Sequence, residues 1–266
     1  MDAQNKYRRI VIKVGSNVLT RDDGRPDTTR ISALVDQVAR LHRAGTEVIL
    51  VSSGAVASGR SILGQRAGKL DSVSARQLFS AVGQVKLLNR YYDLFNEYGI
   101  VCGQVLTTKE SLSTRRQYLN QRNCMETMLA NGVLPIVNEN DTISTEEISI
   151  GDNDTLSAMV AASIRADLLI LLSDIDGLYD SDPHKNPDAR LIPVVERLDD
   201  HIRALAGGSG SSLGTGGMVT KLQAAQIATE AGCEMVIANG HHPAALYDIA
   251  AGQPAGTRFL AGRKEL

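Results

Sequence analysis

Two lysines, one aspartate and one glycine-rich loop stand in settings that call for chemistry. The stretch "GGSGSSLGTGGMVTKLQAAQIA" packs six glycines into the eleven residues from Gly207 to Gly217, then places a lone lysine, Lys221, where a helix-forming run begins. Amides free of side chains can converge on an anion at the positive end of a helix dipole, which makes this segment a phosphate-site candidate. A flexible Gly/Ser linker is the other reading, and the segment alone leaves both open. It is not a P-loop, because Thr220 separates the lysine from the nearest glycines and no Ser or Thr follows it. Nor is it a dinucleotide fingerprint: no G-x-G-x-x-G occurs in it, and the preceding "LDDHIRALA" reads as a helix rather than a strand.

The second lysine, Lys13, sits inside the apolar run "IVIKVGSN". A buried ammonium is costly unless it meets an anion, so Lys13 either needs a negative partner or lies on an edge strand and reaches for water. "IGDNDTLSAMVAA" offers that partner: Asp152 or Asn153 can start a helix, and Asp154 falls in its first turn, where the dipole favours a carboxylate. Capping alone would need only one of those three polar residues. Two lysines, two glycine turns and a first-turn aspartate suit a polyphosphate, since phosphoryl transfer asks a protein mainly to position reactants and neutralise charge. A lysine about 4 Å from that charge contributes up to ~4 kcal/mol at an effective dielectric of about 20, before desolvation is subtracted.

Such residues need a frame. Short β-branched runs recur as "RIVIKVG", "EVILVSSG", "VCGQVL", "VLPIVNEND", "LLILLSD" and "EMVIANG". Helical periodicity lies between them, with Ile31, Leu34, Val35, Val38 and Leu41 forming one expected buried stripe and Leu78, Val82, Val85 and Leu88 another. Alternating strands and helices imply parallel pairing, and almost wholly apolar strands imply cover on both faces. The expectation is an α/β protein: a three-layer αβα sandwich around a mostly parallel open sheet, in one domain over 1–266. "TISTEEISI" reads as a β-hairpin and "YDSDPHKNPDARLIPVV" as a Pro/Asp-rich excursion before a helix. Ligands of open α/β sheets gather at the carboxyl ends of strands. There the sequence places Lys13, Gly15 and Ser16, then Ser52-Ser53-Gly54, then Asn138-Glu139-Asn140-Asp141, then Ser173-Asp174.

With 28 basic and 30 acidic residues the net charge is -2, which gives no footprint for nucleic acid or an anionic membrane and points to small-molecule partners. Cys102, Cys124 and Cys233 lack metal or redox spacing and read as reduced thiols. The five histidines lack ligand spacing too, so no metal ligands are assigned. The start, "MDAQNKYRRIVIKVG", has no apolar leader and "LLILL" is too short to span a bilayer, so a soluble cytoplasmic protein is expected.

Taken in order, "VIKVGSNVLT", "VSSGAVASG", "NENDTIS", "GDNDTLSA", "LLSDIDGLYDSDP" and "GTGGMVTKL" resemble the amino acid kinase family, within it the members that phosphorylate glutamate at the opening of proline biosynthesis. The resemblance covers nearly the whole chain. It implies that Lys13 and Lys221 contact ATP phosphates and stabilise the phosphoryl group in flight, with Asp154 holding both lysines. Gly15, Ser173 and Asp174, with Thr215, Gly216, Gly217, Met218 and Lys221, would surround the nucleotide, so the glycine loop becomes a cover rather than a linker. Ser53, Gly54, Asn138, Asp141 and Asn153 would hold L-glutamate, Asp141 as counter-ion to its ammonium unless it merely caps the turn into the hairpin. Mg2+ would ride mainly on the ATP phosphates. A glutamate carboxylate is already ionised near pH 7, so no general base is required. The resemblance further implies a homo-oligomer, feedback inhibition by proline and a transient partnership with a reductase that consumes the acyl phosphate. Many members continue into a PUA domain, whereas this chain stops at "GTRFLAGRKEL", and none is expected here. The alternatives are a sister kinase for acetylglutamate, aspartate, carbamate or uridylate, and a non-catalytic amino-acid sensor.

Overall fold

The computed structural model describes residues 6–21, 23–144, 152–183, 185–206 and 217–262. Within them the strands are β1 (Arg9–Val14), β2 (Glu47–Ser52), β3 (Cys102–Thr107), β4 (Leu134–Glu139), β5 (Leu168–Ser173), β6 (Val194–Val195), β7 (Glu234–Asn239) and β8 (Thr257–Phe259). The helices are α1 (Ser16–Leu19), α2 (Thr28–Arg43), α3 (Ala55–Leu63), α4 (Ser72–Glu97), α5 (Lys109–Ser113), α6 (Arg115–Ala130), α7 (Asn153–Ser163), α8 (Asp200–Ala206), α9 (Met218–Glu230) and α10 (Ala245–Ala250). One sheet runs in the order β3-β4-β2-β1-β5-β7-β8-β6, parallel except where β8 meets β7.

Side chains alternate across each strand, and the two faces therefore bury different layers. Ile10, Ile12, Val48, Leu50, Ile136, Leu168 and Ile170 pack with Ile31, Leu34 and Val38 of α2, Leu87, Tyr91 and Phe95 of α4, and Leu246 of α10. Val11, Ile49, Val51, Val137, Leu169 and Leu171 pack on the opposite side with Met125 of α6, Leu156 and Val160 of α7, and Leu222 and Ala225 of α9. Helices on both faces make this the expected αβα sandwich. All six strands read from apolar runs are present; β6 and β8 are additional, too short to register as periodic patterns. Of the hairpin expected at "TISTEEISI", Thr142 and Ile143 lie in a turn and 145–150 fall outside the described residues.

One expected stripe holds only in part, for Leu88 packs against the core and Val82 is half-buried. On α4, Leu78 and Val85 are exposed, and the helix instead buries Phe79, Ser80, Gly83, Leu87, Tyr91, Leu94 and Phe95. The burial follows the i, i+4 row from 79 to 95 because α4 crosses α3 at backbone contact, a requirement that a count of apolar residues does not register. A Cβ on Gly59 would fall 1.8 Å from the carbonyl oxygen of Phe79, and one on Gly83 would fall 1.8 Å from that of Ala55. Further along α4, the buried Tyr91 hydroxyl and Ser52 Oγ lie 2.9 Å apart, which anchors the helix to the end of β2.

Gly83→Ala must therefore push α3 and α4 apart. Overpacking of this kind costs about 1–3 kcal/mol or more, so the urea midpoint of G83A is expected to fall clearly below that of the unaltered protein, whereas alanine at the exposed Val85 should leave it nearly unchanged.

Candidate functional site

The sheet order gathers the polar strand ends on one edge. The chain leaves β1 toward β2 on one side and leaves β5 toward β7 on the other, so the β1/β5 boundary is the point where the winding reverses and a crevice opens. Lys13 lies opposite Val51 of β2 and Leu171 of β5, while Val51 lies opposite Val137 of β4. Gly15, Ser53, Asn138 and Ser173 therefore emerge beside one another. They line a cleft of about 1360 Å³ together with Lys13, Gly54, Asp141, Asn153, Asp154, Asp174, Gly217, Met218 and Lys221.

Lys13 is on a central strand, which removes the edge-strand reading. Alternation points it to the face shared with α7 and α9, at a register position where its neighbours are apolar. Asp152 caps α7 through the amide of Thr155, which leaves Asp154 in the first turn and 1% exposed. Asp154 Oδ1 lies 2.5 Å from Lys13 Nζ, and Oδ2 lies 3.1 Å from Lys221 Nζ. Thr220 Oγ1 also donates to Oδ2, at 3.1 Å. Burial pushes the Asp154 carboxyl upward, yet the two ammoniums outweigh burial and hold it below the usual carboxylate range. One carboxylate thus holds two ammoniums in a largely desolvated corner of the cleft, and the nearby Asp174 carboxyl feels Lys221 as well.

Toward β4 the cleft is lined by hydrogen-bonding side chains. Asn153 Nδ2 donates to Ser53 Oγ at 2.7 Å and to Asn138 Oδ1 at 3.3 Å, and Asn138 Nδ2 donates to Gln84 Oε1 of α4 at 2.9 Å. Gly54 caps α3 with φ +98°, a left-handed conformation that turns the chain sharply at the end of β2 and strains any L side chain. Arg76 of α4 reaches Asp141 Oδ1 from Nε at 2.9 Å and from Nη2 at 2.7 Å. Toward β5, Ser173 Oγ donates to Asp174 Oδ1 at 3.0 Å and Asn17 Nδ2 donates to Oδ2 at 2.9 Å. Burial raises the Asp174 carboxyl, and these two donors more than offset it. Gly217 precedes α9 and Met218 opens it, but Thr215, Gly216 and the rest of the glycine loop lie outside the described residues.

Among the described residues, no three His, Cys, Asp or Glu side chains are grouped so as to hold a metal ion, and no histidine lines the cleft. The two lysines held by Asp154 suit an anion. Sequence reasoning missed Arg76, Gln84 and Asn17, which carry no local signature. Arg76 reaches the cleft, and Gln84 reaches Asn138 in its wall, because α4 is docked across α3.

The pattern of the amino acid kinase family matches residues 8–239. The glutamate 5-kinase of Bacteroides thetaiotaomicron is 54% identical over 249 residues, covering 92% of this chain and 68% of that protein. The glutamate 5-kinase of Symbiobacterium thermophilum is 53% identical over 252 residues and covers 95% of both chains. Among solved structures, carbamate kinase from Giardia lamblia bound to AMP-PNP superposes with a TM-score of 0.71 at 20% identity, over 98% of this chain and 100% of that one. An isopentenyl phosphate kinase gives 0.67 at 21% identity, over 94% and 99%. Those two likenesses concern the fold, and the sequence relatives carry the lineage: the chain belongs to the amino acid kinase family.

Proposed function

We propose that this protein transfers the γ-phosphoryl group of ATP to the γ-carboxylate of L-glutamate, giving L-glutamyl 5-phosphate and ADP, the first step of proline biosynthesis. The observation that carries the reading is the buried Lys13–Asp154–Lys221 cluster at the winding reversal, in a cleft whose other walls bear amino-acid-sized polar groups. A carboxylate oxygen of the substrate attacks the γ-phosphorus while the bond from phosphorus to the β,γ-bridging oxygen breaks, and ADP leaves with the electron pair. No proton moves, because the acceptor is already ionised.

Lys13 and Lys221 neutralise charge on the transferring group, and Asp154 keeps the two ammoniums apart and aimed. Gly15, Ser173, Asp174, Gly217 and Met218 line the nucleotide side, with Thr215 and Gly216 assigned there by resemblance. Ser53, Gly54, Asn138, Asp141 and Asn153 line the glutamate side. Mg2+ enters on the ATP phosphates, where it would neutralise further charge. The acyl phosphate product calls for a reductase as its consumer. Proline as a feedback inhibitor, homo-oligomerisation, a single kinase domain and a cytoplasmic location belong to the same proposal. Among the described residues, no helix is long and apolar enough to cross a membrane.

Trapping the product with hydroxylamine tests the reaction itself: a hydroxamate should form only when ATP, Mg2+ and glutamate are all present, and acetylglutamate, aspartate, carbamate or UMP in place of glutamate should give little turnover. Lys221→Ala should lower kcat by about 100- to 1000-fold, with glutamate KM within about threefold, because it removes one donor to the transferring charge. Unchanged turnover in K221A would reject the role assigned to Lys221. The Asp154 carboxyl is depressed in the fold, so its ion pairs stabilise the protein above the ordinary carboxylate range and are lost as pH falls through the depressed value. Asp154→Asn strands two buried ammoniums and should cost about 3–5 kcal/mol near pH 7, with the gap to the unaltered protein closing in urea titrations taken toward pH 3.

A further inference from the structure

Resting on the kinase reading above, we infer that Gln84 is a positioning residue for the amino-acid substrate: acting through Asn138 and Asn153, it fixes Ser53 with its hydroxyl hydrogen turned to a substrate carboxylate. Gln84 does not line the cleft itself. It follows Gly83, where the backbones of α3 and α4 meet, so the helix crossing sets the height at which its side chain meets Asn138 at the end of β4. A polar side chain between the buried Gly83 and Leu87 needs a partner, and Asn138 supplies it.

The hydrogen bonds from α4 to Ser53 run in one sense only. A backbone N–H can only donate, and that of Glu139 donates to Asn138 Oδ1 at 2.9 Å, which decides how the Asn138 amide is turned. Asn138 is 3% exposed, so its amide hydrogens need an acceptor too, and Nδ2 donates to Gln84 Oε1 at 2.9 Å. Because Asn138 presents an oxygen to Asn153, Asn153 must donate: its Nδ2 lies 3.3 Å from that oxygen and also donates to Ser53 Oγ at 2.7 Å. Ser53 Oγ is therefore an acceptor within the protein. Its own hydrogen is left to the cleft that Ser53 and Asn153 line, and among the described residues no acceptor takes it. A substrate carboxylate, which only accepts, completes such a hydroxyl. The same helix also holds the backbone of Ser53, since the Tyr91 hydroxyl pairs with Ser52 Oγ at 2.9 Å and Ser52 Oγ donates to the Ser53 carbonyl at 3.1 Å. Without an acceptor at position 84, the buried Asn138 amide loses the partner that holds its Nδ2, and the sense of every bond beyond it is released.

The test reads kcat, glutamate KM and ATP KM from initial rates of hydroxamate formation in Gln84→Leu, which has no acceptor, and Gln84→Glu, which keeps one. Q84L should raise glutamate KM about 5- to 20-fold, with kcat within about threefold and ATP KM within about twofold, because it weakens a contact made equally before and during transfer. Q84E should keep glutamate KM within about threefold of the unaltered protein. A merely structural Gln84 would move both KM values or kcat together in Q84L, and that outcome would overturn the inference, as would a Q84E as impaired as Q84L. Should Q84L not fold, Gln84→Met gives the same comparison. Ser53→Ala closes the cycle: it should raise glutamate KM by itself, and Q84L added to it should raise KM by less than about twofold more. A full further rise in the double variant would mean that Gln84 does not act through Ser53 and would overturn the inference. Failure of the unaltered protein to form any glutamyl hydroxamate would overturn the kinase reading and this inference with it; hydroxamate with an unchanged glutamate KM in Q84L would overturn the inference alone.

Discussion

One buried carboxylate holding two buried ammoniums is the constraint around which the site is built. Asp154 draws Lys13 from the middle of the sheet and Lys221 from the start of α9 to opposite oxygens of a single group. Coulomb attraction at this range is of order 4 kcal/mol per pair at an effective dielectric of about 20, comparable with the several kcal/mol needed to desolvate each ion. The cluster is therefore no great source of stability. Its value lies in pre-organisation: the two lysines would repel each other without Asp154, and with it they leave a fixed positive charge where an anion can be received without reorganising the protein.

The layers of the fold serve that constraint. A parallel sheet brings β1 beside β5 with their connections diverging, which opens the crevice, and strand alternation then turns Lys13 toward the face covered by α7 and α9. On the other face, the close crossing of α3 and α4 brings one end of α4 over the strand ends. Arg76 and Gln84 are eight residues apart, about 12 Å along the helix axis, and they meet Asp141 and Asn138 respectively. A helix whose packing depends on two glycines thus carries the polar groups that contact Asp141 and Asn138.

Charged groups stand at both ends of the cleft. The Lys13–Asp154–Lys221 cluster lies at one end and Arg76 with Asp141 and Glu139 at the α4 end, with neutral amide and hydroxyl groups from Ser53, Asn138 and Asn153 toward β2 and β4.

Much of this was legible in the residues alone wherever the physics is local. Apolar runs ending in Gly, Ser, Asn or Asp identify strands buried on both faces, and "GDND" ahead of a small-residue run identifies a capped helix start, because pleat, cap and dipole act over a few neighbouring residues. Lys13 inside "IVIKVG" demanded an anion for the same reason, since desolvation is a property of its immediate surroundings. Only the tertiary structure decided which anion it meets, which face of α4 is buried, and that Arg76 stands beside Asp141, 65 residues away in sequence. Those outcomes depend on helix crossings and strand order, where backbone approach at Gly59 and Gly83 outweighs the apolar stripe of Leu78, Val82, Val85 and Leu88, and no local pattern encodes a contact made across the sheet.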